Sequence, residues 1–152
     1  MNQLHRKKPL ASIIMSTYNQ PRHLELALAG LMIQTEKNFE LHVADDGSAE
    51  ETSNIVEKYM DMVPFPIVYS WQTDNGYRKT KILNEAIRKS KADYFIFIDG
   101  DCVPHKDFVL NHLKYRQKGY YLAGRRVDLG PEYSATLTPD AILRGDLNRF
   151  NF

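Results

Sequence analysis

The chain has 152 residues, 43% hydrophobic and 26% charged, with a formal net charge of +1, which is one domain's length with apolar content enough for a core. The near-neutral balance excludes a dedicated nucleic-acid binder, and the lone cysteine, Cys102, excludes an intrachain disulfide framework and fits a reducing compartment. No apolar run reaches the roughly 18–20 residues that span a bilayer, and the polar N-terminus does not read as a signal peptide. The expectation is therefore a cytoplasmic protein with no transmembrane segment.

The basic patch His5-Arg6-Lys7-Lys8 reads as a solvated leader, with peripheral membrane association as the alternative. Residues 11–16 are a short apolar run, expected as the first strand. Turn chemistry follows in Thr17-Tyr18-Asn19-Gln20-Pro21, and Pro21 suits a first helical position. Leu24, Ala27, Leu28, Leu31 and Met32 recur at helical spacing, which predicts a helix over 22–34. Phe39, Leu41 and Val43 alternate with polar residues in a second strand over 39–44, ending in Asp45-Asp46-Gly47-Ser48. Ser48 with Glu51 three residues on reads as a capping box for a helix that buries Ile55, Val56 and Tyr59.

A proline-punctuated link leads into a third strand over 67–71, and Asp74-Asn75-Gly76 is a turn. The next helix carries Ile82, Leu83, Ala86 and Ile87 on one side. Tyr94-Phe95-Ile96-Phe97-Ile98 then reads as a strand covered on both faces, as in the middle of a parallel sheet. After Pro104 a helix is expected on Phe108, Val109, His112, Leu113 and Arg116, and residues 120–123 are expected as a fifth strand. Short alternating strands and helices are the pattern of βαβ units around a parallel sheet. From Asp128 on, Gly130, Pro131, Pro139 and Gly145 interrupt the periodicity, and Phe150-Asn151-Phe152 suggests a chain continuing into further structure.

The fourth strand ends in Asp99-Gly100-Asp101. Adjacent carboxylates are costly unless they meet a cation or hydrogen-bond donors, and in open α/β sheets ligands sit at the carboxyl ends of strands. Ser16-Thr17-Tyr18-Asn19, Asp45-Asp46 and Asp99-Gly100-Asp101 all fall on that edge. Helix N-termini there suit phosphate, and Arg78, Lys79 and Lys81 begin one of those helices. The joint reading is a divalent metal on the acidic pair and, through it, a diphosphate. Taken singly, each motif has a plainer account: Asp45 to Ser48 as a turn and cap, and Arg78, Lys79 and Lys81 as a solvated helix start. Cys102 reads as a packed residue beside the site and not a nucleophile; His105, after Pro104, is an alternative metal ligand.

Ser12 to Asn19, Asp45-Asp46-Gly47-Ser48 and Asp99-Gly100-Asp101, in this order and spacing, resemble family 2 glycosyltransferases of the GT-A fold. Asn75-Gly76-Tyr77-Arg78 through Asn84, ahead of Tyr94 to Asp101, resembles the chondroitin-polymerase-like and galactosyltransferase-like branch, and the likeness covers residues 10–125. It implies an α/β, Rossmann-like, mainly parallel sheet flanked by helices, with the C-terminal acceptor part lacking. It implies a leader over 1–9, a nucleotide-sugar-binding domain over 10–127 and the truncated start of an acceptor-side region over 128–152.

It implies that Ser16, Thr17 and Tyr18 line the nucleobase pocket, Asp46 hydrogen-bonds the base and Asp45 braces the loop. Arg78, Lys79 or Lys81 would lie near base or phosphate. Asp99 would reach the ribose, beside Gly100, and Asp101 with Asp99 would hold Mn²⁺ or Mg²⁺. The implied activity is inverting transfer from a nucleotide sugar, a UDP-sugar by family habit, to a hydroxyl of a glycan acceptor. Two features depart from the pattern: Leu83 stands where the family often has arginine, and no Glu-Asp base motif follows the acidic pair, only Glu132, Asp140 and Asp146. The catalytic base is thus expected outside this chain. A non-catalytic nucleotide-binding or assembly module is the alternative. A receiver-type signalling domain fails, because its paired acids follow the first strand and its lysine after a late strand is missing.

Overall fold

The computed structural model describes residues 8–149. Strands β1 (Ala11–Thr17), β2 (Phe39–Asp45), β3 (Ile67–Trp71) and β4 (Phe95–Asp99) form one parallel sheet in the order β3-β2-β1-β4. Helices α1 (Pro21–Met32), α2 (Glu50–Met60) and α3 (Lys79–Lys89) provide the crossovers, and α4 (Phe108–Tyr115), after the last strand, flanks the sheet. Parallel strands require such connections, and helices on both faces bury the sheet.

Strand side chains alternate between two cores. Ile13, Met15, Leu41, Val43 and Ile96 meet Leu24, Leu28 and Leu31 of α1, Val56 and Tyr59 of α2, and Val109 of α4. On the opposite face Ile14 and Ala44 pack with Ile82 and Ala86 of α3. The polar alternates of the central strands are buried too. Glu40 accepts from Ser12 Oγ and Lys91 N, both at 2.6 Å. Burial pushes its carboxyl up, but those bonds and His42 outweigh it and hold the group below its ordinary value.

The sheet's middle differs from expectation. β1 and β2 are buried along their whole length, whereas β4 is an edge strand with Phe97 58% exposed. The physical reason is coverage: α3 lies over β1, β2 and β3, so the side of β4 carrying Phe97 goes largely unroofed. An apolar run cannot by itself tell a central strand from an edge. The expected fifth strand also does not form. Residues 117–130 carry no strand, and Tyr120 and Tyr121 are 77% and 89% exposed. β-propensity without a neighbouring ladder leaves the backbone groups to water.

Where periodicity was weak, the chain makes two short helices, α5 (Pro131–Thr136) and α6 (Pro139–Leu143), and a 3-10 turn at Asp146–Arg149. Leu137 and Ile142 pack on Leu26 and Ala29 of α1. Arg22 Nη2 donates to the carbonyls of Ser134, Ala135 and Leu137 at 2.8–3.1 Å, satisfying the open end of α5. Gly30 admits the segment after β4, since a Cβ there would lie 2.9 Å from both Pro104 Cδ and Val103 Cγ1. Buried Gln34 pins the approach to α4, donating to His105 O at 2.8 Å and accepting from Val109 N at 3.0 Å. Of the basic leader only Lys8 lies within the described residues, paired with Asp93 at 2.6 Å; His5 to Lys7 and the terminal Phe150 and Phe152 lie outside them.

Candidate functional site

Strand register assembles the site. Thr17 lies opposite Asp45, and Ser16 opposite Asp99, so three strand ends meet at one edge. Asp45 is wholly buried, and its carboxylate accepts from Gly47 N at 3.1 Å, Ser48 N at 2.8 Å and Tyr69 Oη at 2.6 Å. It is the brace of the loop, as expected. Burial first, and then the Asp45 bond, push the Tyr69 phenol far above its ordinary value, so it stays protonated and donates to Asp45.

Ser48 does not cap α2. The N-cap is Ala49, and Ser48 Oγ instead accepts from Asn19 N at 2.8 Å while Asn19 Oδ1 accepts from Ala49 N at 3.0 Å. The two loops thus lock together, which holds Asn19 at φ 49°, a conformation asparagine tolerates. The capping-box spacing was present, but a partner from another loop took the hydroxyl.

Asp46 is 6% exposed, and its Oδ1 accepts from Gln72 Nε2 while Oδ2 accepts from Arg78 N at 2.8 Å. Gly47 makes this possible. It sits at φ 103°, and a Cβ would lie 2.6 Å from Asp74 Cα, so only glycine lets the loop after β3 fold onto the loop after β2. Asp74 in turn accepts from Tyr18 Oη at 2.9 Å, and that bond raises the Tyr18 phenol.

Asp99 Oδ1 accepts from Ser16 Oγ at 2.8 Å and from Lys79 Nζ at 2.6 Å. The Lys79 bond holds the carboxyl below its ordinary value, against partial burial and with help from Ser16. Gly100 N donates to Ser16 O at 2.7 Å, and a Cβ there would approach that oxygen to 2.9 Å and Thr17 Cβ to 3.2 Å. The acidic pair therefore needs its glycine to lie flat on β1. Asp101 is exposed, with the Cys102 thiol at 3.4 Å from Oδ1. Burial, and next that bond, push the thiol up, which is the opposite of an activated nucleophile.

These groups face one cleft of about 430 Å³. Its lining includes Ser16, Thr17, Tyr18, Asp46, Lys79, Asp99, Gly100 and Asp101 from the residues expected, and adds Gln20, Ala44, Gly76 and Tyr77. Arg78 and Lys81 are not in the lining. Arg78 is the N-cap of α3, with its guanidinium turned to Thr73 O, and Lys81 is exposed beyond it. His105 is also absent from the lining; its Nδ1 accepts from Asp107 N at 3.2 Å. Sequence reading missed Gln72, Asp74 and Tyr77. The Asp-Asn-Gly turn marked that loop, but nothing local indicated that it closes over Asp46. Thr17 Oγ1 is buried in the wall with no hydrogen-bond partner among the described residues.

A parallel sheet that gathers acidic groups, one lysine and an aromatic wall at its carboxyl edge defines an open α/β protein with a cleft where such folds bind their ligands. Solved structures agree on the fold, which is GT-A. A mannosyltransferase from Pyrobaculum calidifontis, solved in complex with GDP-Man and Mn²⁺, matches 72% of this chain and 32% of its own at TM-score 0.64 and 23% identity. S. aureus TarS 1–349 in complex with UDP matches 68% of this chain and 31% of its own at TM-score 0.62 and 28% identity. Residues 12–149 match the model of glycosyl transferase family 2, and the chain belongs to that family. Chondroitin synthase of Pasteurella multocida (strain Pm70) is 39% identical over 103 residues, 67% of this chain but 10% of that protein. The chain thus spans a small part of the curated relatives it matches.

Proposed function

We propose that this chain is the nucleotide-sugar-binding part of an inverting glycosyltransferase, which moves a sugar from a nucleoside diphosphate donor, a UDP-sugar, to a hydroxyl of a glycan acceptor. The observation that carries the reading is the convergence of Asp46, Asp99, Asp101 and Lys79 on a single cleft walled by Tyr18 and Tyr77. The UDP bound by TarS 1–349 and the GDP-Man and Mn²⁺ bound by the mannosyltransferase support the ligand class.

Each residue has a role its chemistry fits. Ser16, Thr17 and Tyr18 form the base pocket, where the Thr17 hydroxyl has no partner among the described residues. Asp46 reads the edge of the base. Each of its oxygens already holds one donor, and each keeps a lone pair for another. Asp99 takes the ribose. Lys79, anchored on Asp99 at 2.6 Å, is the cation of the three that the geometry supports for phosphate. The arginine and Lys81 act from outside, Arg78 through its backbone N–H.

The donor set fits a divalent ion. Asp99 and Asp101 offer hard carboxylate oxygens, and among the described residues no group of three or more His, Cys, Asp or Glu is placed to hold a metal. Mn²⁺ or Mg²⁺ is commonly held by one or two carboxylates and completed by substrate phosphates, so metal and nucleotide should bind together. When bound, the ion neutralises charge on the leaving diphosphate. The chain's own part is to orient the donor through Asp46 and Asp99 and to hold Lys79 beside the phosphates.

Residues 10–127 are the donor-binding domain in this reading, and 128–152 begin the acceptor side. Acceptor attack needs a base within hydrogen-bond reach. The acids lining the cleft are Asp46, Asp99 and Asp101, while Glu132, Asp140 and Asp146 are not in its lining. That favours a second reading for this stretch alone, a nucleotide-binding module whose base comes from elsewhere. Calorimetric titration of UDP and GDP in manganese, repeated in EDTA, tests the proposal. Saturable binding only with metal is expected, and no binding of either nucleotide would refute a donor site.

A further inference from the structure

A second cleft, of about 420 Å³, opens between the edge strand β3 and the start of α2, lined by Ser48, Glu50, Ser53, Tyr69 and Trp71. It shares the 45–48 loop with the donor cleft but none of its lining residues. Trp71 ends β3 and is 49% exposed, a large apolar group left to water at a strand edge. Its position is not loose. The indole Nε1 donates to Ser48 O at 3.0 Å, and Tyr69 Oη donates to Asp45 Oδ2 at 2.6 Å. Both aromatic residues spend their polar handles inward and so turn fixed apolar surface to the cleft.

The surface of the cleft is mainly apolar, and the one charged group that lines it is an acid. Glu50 brings an exposed carboxylate, held in the first turn of α2 where the helix dipole favours it. Ser53 Oγ donates to Glu50 O at 2.8 Å, so its lone pairs remain to accept. Among the described residues no cation lines the cleft. A ligand for such a surface needs an apolar ring face, hydroxyl donors along its edge and no negative charge of its own. That is the chemistry of a neutral sugar ring.

We infer that the Trp71 cleft is an accessory saccharide subsite, in which a neutral sugar residue stacks on the indole and donates hydroxyls to Glu50 and Ser53. Its use in gripping a glycan beside the donor cleft rests on the glycosyl-transfer reading, but the site itself stands on its own residues. A phosphate, sulfate or uronate would meet Glu50 with no compensating cation and be disfavoured. Rigid aromatic platforms lose little entropy on binding, which is why fixed rings are efficient anchors.

Trp71 is the chain's only tryptophan, so tryptophan emission, excited selectively over the tyrosines, reports on this cleft. The 152-residue chain is titrated with maltohexaose and chitohexaose, with a sulfated hexasaccharide as the anionic comparison, and its UDP affinity in manganese is measured in parallel. A saturable change with at least one neutral hexasaccharide is expected, and a weaker response to the sulfated one. Glu50→Gln, a surface change that leaves the fold intact, should weaken sugar binding about tenfold and leave UDP affinity unchanged. Trp71→Ala should abolish the binding heat in calorimetry. The inference is overturned by no saturable change with either neutral sugar, by full affinity in Glu50→Gln, or by equal binding of the sulfated sugar. It is also overturned by a fluorescence change that follows protein concentration without sugar, which would make the patch a contact between copies. Sugar binding without UDP binding would support the subsite and count against the donor site alone.

Discussion

Replacing Asp45 with alanine strips three donors at once, the N–H groups of Gly47 and Ser48 and the hydroxyl of Tyr69. A buried donor left without a partner costs about 1–3 kcal/mol. Tyr69 is only half-buried as a residue, whereas the Asp45 loop is buried, so the two loop N–H groups dominate. The expected loss is about 2–5 kcal/mol, a large share of the ~5–15 kcal/mol that holds a typical domain together. Asp45→Asn keeps an oxygen for the loop and gives Tyr69 an amide partner, so it should cost less than about 1.5 kcal/mol. Urea unfolding of both variants, followed by far-UV circular dichroism, measures the difference. Nucleotide affinity should fall with Asp45→Ala, because the same loop carries Asp46. An Asp45→Ala unfolding free energy within ~0.5 kcal/mol of the parent's would refute the claim that this carboxylate holds the loop.

The other expectations concern the cleft directly. Asp101→Ala should abolish metal-dependent nucleotide binding with stability unchanged, since Asp101 is exposed; equal affinity in manganese would remove the metal assignment. Asp46→Asn should weaken UDP about tenfold or more but leave pyrophosphate binding as it was, and equal weakening of both in calorimetry would end the base-reading role. The depressed Asp99 carboxyl makes a contribution to stability that is present above the unfolded value of ~3.9 and lost as pH falls through the folded value. Lys79→Met should raise the Asp99 titration toward that ordinary value, read by carbon-detected NMR, and an unmoved titration would show that Lys79 is not its partner.

Much of this protein is local and could be seen before any fold was known. The α1 stripe from Leu24 to Leu31, the alternation through Phe39, Leu41 and Val43, and the Pro21 helix start are near-neighbour periodicities. Backbone geometry alone dictates them. The rule that parallel strands deliver their loops to one edge was also enough to gather Ser16, Asp46 and Asp99. Long-range partners were not legible in this way. Ser48 satisfied the spacing of a cap, yet its hydroxyl went to Asn19 on another loop. Arg78, Lys79 and Lys81 are equivalent as a basic helix start, and only packing turned Lys79 to Asp99 while leaving Lys81 in solvent.

The sequence by itself determined the order of elements through α4, the parallel sheet and the set of strand ends that gather the polar groups at one edge, because each depends on residues close along the chain. The tertiary structure decided which strand lies in the middle, that residues 120–123 have no ladder to join, and that Gln72 and Asp74 fold over Asp46. Those outcomes depend on what covers a surface or reaches a hydroxyl first, and such competition is resolved only when distant segments meet.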